Sequence, residues 1–346
     1  MASLSPFDGL EREQNRQQFI ETHIKQLVGD IGEIDVRAIT GDASFRLYFR
    51  VQCAQAQFIL MDVSPDKGEI SAFVHLNQVF SQGGLAVPEV LAFDDKLGFV
   101  LLEDLGAVHL ADLIETEHRE AHYMRLLSWL PRIAKLPASE WMKEYDLAFV
   151  LQEMDIFKSW LLEKWLGYEL NDEENDRWQC LTDSLARSML VQPQVVMHRD
   201  FHSRNVMYHE GNDRLIDYQD AVVGPVCYDA VSLLKDCYVK LPADEFERLK
   251  KVSYQQLLSN GLLEGMEYEH YVDYFNLTGL QRHLKAAGIF ARLNLRDGKP
   301  GYLPNILPTL DYIVEAAGVY SDYQWLATWL QSEIIPMVKD KLAESL

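Results

Sequence analysis

The sequence predicts an α+β protein in two lobes: a small antiparallel-sheet lobe first, then a larger, mainly helical one. Three observations carry this. Between Ile34 and Glu103, short apolar runs alternate with a period of two. From about residue 109 the period lengthens to that of helices, in long segments rich in Leu, Trp and Phe. The change falls at the short segment Glu103–Gly106, which reads as a hinge. With 346 residues and 48% hydrophobic content, the chain can give each lobe its own core.

Residues 11–28 open the chain as an amphipathic helix, with Phe19, Ile20, Ile24, Leu27 and Val28 at helical spacing and Gly29 as the stop. Ile34–Thr40 and Phe45–Val51 read as strands joined by the turn GDAS, and Phe58–Val63 is a third strand ended by Pro65. Glu69–Phe80 is helical up to the terminator SQGG. Val90–Phe93 and Phe99–Glu103 form a hairpin around Asp94-Asp95-Lys96. Such short connections suit one antiparallel sheet with a helix against it. The first lobe is therefore placed at 1–103 and the second at 104–346. Helical patterns fill roughly 109–135, 147–167 and 173–190, and return from about 226 after an irregular stretch. A ligand cleft between two such lobes is expected.

Charge and composition narrow the partners. There are 32 basic and 53 acidic residues, a formal net charge of −21. That surface repels phosphate backbones and argues against nucleic acid. The four cysteines, Cys53, Cys180, Cys227 and Cys237, form no CxxC pair and read as reduced thiols. The start, MASLSPFDGLEREQ, lacks the basic-then-apolar pattern of a signal peptide, and no apolar run is long enough for a bilayer. A cytoplasmic protein with no membrane partner is expected, and a monomer is favoured.

The irregular stretch holds the chemistry: MHRDFHSRNVMYHEGNDRLIDYQDAVVGP, residues 197–225. Asn205 follows Asp200 by five residues, and two short strands, VMYH and RLIDY, flank the turn EGND and end at Asp217. Folding that hairpin back would bring three oxygen-bearing side chains together, a donor set suited to Mg²⁺. The run His198-Arg199-Asp200-Phe201-His202-Ser203-Arg204-Asn205 has the spacing H-x-D-x-x-x-x-N, the loop that supplies a base aspartate and a metal-binding asparagine for phosphoryl transfer. Asp217 takes the place of the D-F-G aspartate, with Tyr218-Gln219 after it. Any one of these residues alone is an ordinary turn or cap former. His198 and His202 are four apart, but the glutamate of a zinc H-E-x-x-H is replaced by Arg199.

These residues, with the following DAVVGPVCYDAVSLL, resemble the aminoglycoside phosphotransferase family of small-molecule kinases. The resemblance implies a protein-kinase-like two-lobe fold, with the first lobe binding ATP. Two further segments, ITGDASFRLYFR (39–50) and GLQRHLKAAGIFARLNLRDGKPGYL (279–303), are similar to the branch that phosphorylates the anomeric C1 hydroxyl of N-acetylmuramate and N-acetylglucosamine in cell-wall recycling. It implies Asp200 as catalytic base, Asn205 and Asp217 as Mg²⁺ ligands, and Asp229 as a brace for the loop, alongside its plain reading as a helix N-terminal acid. His198 packs and bonds within the loop. Backbone groups at Glu103 and Leu105 would meet the adenine. Gly41 and Ser44 would turn backbone N–H groups toward phosphate, with Arg46 nearby.

Two departures stand out. Met61 occupies the place of the phosphate-pairing lysine on the third strand, so Lys67, Arg46 or Arg50 would supply that charge. The phosphate loop has a single glycine. For the substrate, His202, Arg282 and Lys285 are candidates, an arginine suiting the lactyl carboxylate of N-acetylmuramate. The competing reading makes the helix at 279–293 a solvated charged face. Trp141, Trp160 and Trp165 are either a sugar platform or core. Other functions left open are a kinase of aminoglycosides or other hydroxyl compounds, and a kinase-like nucleotide-binding module without activity.

Overall fold

The computed structural model describes residues 6–29, 32–39, 46–54, 56–66, 69–114 and 118–344. In chain order the elements are α1 (Pro6–Val28), β1 (Asp35–Ile39), β2 (Leu47–Gln52), β3 (Gln57–Asp62), α2 (Ser71–Gln82), β4 (Val90–Asp94), β5 (Phe99–Glu103), α3 (Arg119–Leu127), α4 (Leu130–Ala134) and α5 (Leu147–Ile156). There follow α6 (Asp172–Leu190), β6 (Gln194–Met197), β7 (Val206–His209), β8 (Asn212–Leu215), β9 (Val222–Pro225), α7 (Tyr228–Leu234), α8 (Ala243–Ser259), α9 (Tyr268–Asp297), α10 (Ile306–Ala317), α11 (Gln324–Trp329) and α12 (Ile335–Glu344). They form two compact units, Met1–Val108 with Met207–Gln219, and His109–Val206 with Asp220–Leu346. The α+β class expected from the sequence holds.

In the first unit, five antiparallel strands run in the order β1-β2-β3-β5-β4. One sheet face buries Val51, Phe58, Leu60, Phe99 and Leu101 against Phe19, Ile20 and Ile24 of α1. The other end of α1 is held by charge. Arg12 donates from Nε to Asp62 at 3.0 Å, and its guanidinium lies 4.3 Å over the Phe99 ring. Strand residues alternate in face, so Met61, paired with Tyr48, points away from α1.

The hairpin β7–β8 belongs to this unit although it comes late in the chain. Leu215 N donates to Ala86 O at 2.7 Å, Tyr208 N donates to Val108 O at 2.8 Å, and Arg214 pairs with Glu103. Its turn is tighter than expected. Glu210 and Gly211 both have positive φ, 48° and 82°, the two-residue type I′ geometry whose twist matches paired strands. Asn212 and Asp213 are thus in β8, and Asp217 lies two residues beyond the strand.

The second unit is organised around α9, 30 residues long and buried on several sides. Leu280, Leu284, Ala287, Phe290 and Ala291 share its core with Phe157, Leu161, Trp165, Trp178, Met197, Leu310 and Ile313. The charged face expected at 279–293 is inside: Gln281, Arg282, His283 and Lys285 are all buried. The helix expected over 109–135 is divided into a 3₁₀ turn, α3 and α4. Pro131 sits in the first turn of α4, where its missing N–H costs no helix bond. Beyond α5 the chain continues as a π-helical segment, Phe157–Leu166.

Gly288 of α9 presses directly on that junction. A Cβ there would lie 2.5 Å from the carbonyl of Ile156 and 2.6 Å from the nitrogen of Phe157. The obstacle is backbone, which cannot rotate aside. Gly288→Ala is therefore expected to destabilise the protein by about 1–3 kcal/mol, the usual cost of overpacking a core, read as a lower urea midpoint. An unchanged midpoint would show that the two helices can separate freely.

His283 supplies a pH dependence. Its Nε2 bonds the Lys235 carbonyl at 2.9 Å and its ring stacks on Tyr312 with centroids 4.8 Å apart. Burial, helped by the neighbouring Arg282, lowers its pKa from 6.5 to about 3. Between those values the unfolded chain binds the proton and the native one does not, so stability falls as pH falls. The slope for one such group is about 1.4 kcal/mol per pH unit. Urea titrations from pH 7 to 4 should show His283→Gln with a shallower decline than the parent, and parallel curves would count against this origin.

No helix among the described residues is long and apolar enough to cross a membrane. All four cysteines are free thiols, with Cys53, Cys227 and Cys237 buried and Cys180 exposed.

Candidate active site

The loop at 198–205 leaves β6 and is braced from two sides by α7 and its end. The Asp229 carboxylate, in the first turn of α7, accepts the backbone N–H of His198 at 2.7 Å and of Arg199 at 2.9 Å. Asp236, just past the helix, accepts the Ser203 N–H at 3.0 Å and the Ser203 hydroxyl, and also the Tyr238 N–H at 2.9 Å. Asn205 donates its amide to the Asp200 carbonyl at 2.9 Å, tying the two ends of the loop together. His198 is wholly buried. Arg199 holds φ at 76°, a strained value for a residue with a Cβ, and it persists because its N–H and side chain are both tied down.

The anchor of that side chain is Glu153 of α5. This buried carboxylate accepts from Arg199 Nη2 at 2.7 Å, lies 3.1 Å from Lys285 Nζ, and also accepts from the Tyr145 hydroxyl and from Gln281 at 3.2 Å. Burial acts to raise its pKa, but Lys285 and Arg199 prevail and keep it below the ordinary glutamate value. Lys285 also donates to the Tyr228 hydroxyl at 3.2 Å.

Asp200 is partly buried beside these cations. Burial alone would raise its pKa; Lys285, Arg199, His202 and Arg282 overcome this and hold the carboxyl well below the usual range. It is ionised at neutral pH. His202 is pushed the other way, down to about 4, chiefly by burial, and is a neutral imidazole with its ring edge-on to Tyr238 at 5.3 Å. Arg204, on the exposed side of the loop, rests its guanidinium 3.8 Å over the same Tyr238 ring.

Among the expected substrate residues, His202, Arg282 and Lys285 are thus all gathered around Asp200, but Lys285 is committed to Glu153 and Arg282 lies buried with Cys237 Sγ at 3.8 Å. Trp165 is core, Trp160 is capped by Lys164 at 3.7 Å, and Trp141 is exposed.

Asp217 belongs to the first unit. Its φ is 65°, and Gln219 Nε2 donates to its Oδ1 at 2.6 Å. Tyr218 is fully buried against Phe73 and Phe80, and its hydroxyl accepts from Asn77 of α2 at 2.7 Å. The hinge is also held here. Arg50 makes a two-pronged ion pair with Asp104, at 2.6 and 3.1 Å, and donates to the Gly106 carbonyl at 2.6 Å. Arg50 is thus engaged by Asp104 and the Gly106 carbonyl. Glu103 is engaged by Arg214 and by the Glu89 N–H at 3.1 Å, and Leu105 is buried. Arg46 precedes β2. Gly41, Ser44 and Lys67 lie outside the described residues.

Glu153 and Asp236 escaped the sequence reading. Asp236 had a signal: it follows Asp229 by two helical turns, so one short helix could offer both carboxylates to the same loop. Glu153 had none, being an acid in an otherwise plain helix far from the loop in sequence.

Comparison with known proteins agrees with the fold. Residues 35–259 match the model of the phosphotransferase enzyme family. An N-acetylmuramate/N-acetylglucosamine kinase of Pseudomonas putida is 35% identical over 84% of this chain and 86% of its own. One from Neisseria meningitidis is 34% identical over 84% and 88%. Among solved structures, choline kinase from Streptococcus pneumoniae superposes with a TM-score of 0.58 at 13% identity, covering 87% of this chain and 99% of that one. An ethanolamine kinase of Plasmodium vivax gives 0.59 at 10%, covering 84% of each. A loop of this spacing, braced by paired aspartates on a kinase-like fold and matched over most of the chain, places the protein in the phosphotransferase enzyme family.

Proposed function

We propose that the protein transfers the γ-phosphoryl group of ATP to the anomeric C1 hydroxyl of N-acetylmuramate and N-acetylglucosamine, giving the α-1-phosphate. The observation that carries the chemistry is Asp200: an ionised carboxylate, partly reachable, on a loop whose backbone is pinned by Asp229 and Asp236. The choice of sugar is supported by the relatives named above, which match over most of their length.

Asp200 orients the sugar hydroxyl and takes its proton as the oxygen meets phosphorus. A carboxylate of depressed pKa is a weak base, but phosphoryl transfer runs through a loose transition state and asks mainly for alignment and charge stabilisation. Lys285 and Arg199 keep Asp200 ionised, with Glu153 holding both cations in turn. Asn205 and Asp217 offer an amide oxygen and a carboxylate, hard donors that fit Mg²⁺, and the Gln219 contact orients the Asp217 carboxylate. Mg²⁺ bound there would neutralise charge on the nucleotide phosphates. Backbone groups at Glu103 and Leu105 receive the adenine, on a hinge stiffened by Arg50 and Asp104. Arg46, with Gly41 and Ser44, serves the phosphates. ATP supply puts the enzyme in the cytoplasm.

An ADP-release assay with Mg²⁺ and a panel of acceptors tests this reading. Turnover is expected with both N-acetylated sugars and not with choline, ethanolamine or an aminoglycoside. Turnover with one of the latter alone would keep the phosphotransferase and discard the sugar.

A further inference from the structure

Arg199 and Lys285 beside Asp200 have a carboxylate partner, Arg282 meets only Cys237 Sγ at 3.8 Å, and Arg292, farther along α9, has neither. Arg199 and Lys285 share Glu153, and on α9 Arg296 is paired with Asp297 at 2.8 Å. Arg292 makes no ion pair with any described residue, and its Nε is buried with no hydrogen-bond partner among them. The side chain is half-buried, and a guanidinium in such a place normally meets a carboxylate or phosphate. Burial and the positive charge of Arg296 lower its pKa, with Asp297 only partly opposing, so the surroundings have not neutralised it.

Its position relates it to the proposed site. Arg292 follows Lys285 by seven residues on the continuous helix α9, so the two lie on one face, about 10 Å apart along the axis. Arg199, the neighbour of Asp200, and Glu153 are both within its electrostatic reach. The two sugars share the pyranose ring and the N-acetyl group, and differ in the lactyl ether, whose carboxylate only N-acetylmuramate has.

We propose that Arg292 is the specificity residue of the sugar site, a half-buried arginine left without an anion by the fold and filled by the lactyl carboxylate of N-acetylmuramate. The proposal rests on the sugar-kinase reading above. A planar guanidinium takes a carboxylate through two parallel hydrogen bonds. The contact is remote from the transferred phosphoryl group, so it adds equally to ground and transition states and appears in KM, not kcat.

Steady-state kinetics of the parent, Arg292→Met and Arg292→Lys with each sugar test this. In Arg292→Met the KM for N-acetylmuramate should rise about 10-fold or more, the usual size of a lost charge-assisted bond. Its kcat, and both constants for N-acetylglucosamine, should stay within about twofold. Arg292→Lys should recover part of the loss. N-acetylglucosamine turnover in the same preparation reports a sound fold. Equal losses on both sugars, no loss on either, or a raised KM for ATP would overturn the assignment of Arg292 and leave the kinase reading standing. A parent enzyme that phosphorylates neither sugar would overturn the kinase reading, and this inference with it.

Discussion

In Asp200→Asn, turnover is expected to fall by about 10²–10⁴-fold, the usual contribution of a positioned general base, with KM for ATP little changed. Asparagine keeps the shape of the side chain but cannot accept the hydroxyl proton, and it puts an N–H₂ where an ionised oxygen stood. The surrounding cations sharpen the effect. Lys285, Arg199 and Arg282 all act to keep Asp200 charged, and a neutral amide wastes that field. The loop itself should survive, because its backbone is held by Asp229 and Asp236 and not by the Asp200 carboxylate. Initial rates on the purified variant, with its melting temperature measured alongside, check this. Near-parental turnover with an unchanged melting temperature would remove Asp200 from the chemistry.

The second large effect is on stability. Glu153→Ala strips the shared partner from two buried cations, Arg199 and Lys285, and from the Tyr145 hydroxyl. Breaking a buried pair by deleting one side costs about 3–5 kcal/mol, since the remaining charge stays desolvated. Here two charges are stranded, and the strained backbone of Arg199 loses its side-chain tether. Urea unfolding should show the loss as a lower midpoint with a similar slope. Glu153→Gln keeps the volume and part of the hydrogen bonding, and should fall between the parent and the alanine variant. If both variants unfold with the parent, the network is incidental.

The contrast between these residues shows what the sequence could reveal. The loop 198–205 was legible because spacing within one loop is local and is written in the chain, and the roles proposed for Asp200 and Asn205 rest on that spacing. The strands were legible for the same reason, since alternation is local, and even the misread turn erred only in taking four residues for the two, Glu210 and Gly211, that adopt positive φ. Glu153 was not legible because its importance comes from α5 and α9 packing together, with Gly288 permitting the close approach. Arg282 and Lys285 were visible as charges, but nothing in their spacing told that α9 is buried on several sides. Arg50 illustrates the same limit: a free-looking arginine on a strand proved to be the partner of Asp104 in the hinge.

The central claim is the reaction itself, and ³¹P NMR of the purified protein with Mg-ATP and N-acetylmuramate tests it most directly. The account expects the γ-phosphate resonance of ATP to decline as a phosphomonoester resonance grows, coupled to the anomeric proton of an α-1-phosphate. Growth of inorganic phosphate alone, or of an ester at another hydroxyl of the sugar, would contradict it.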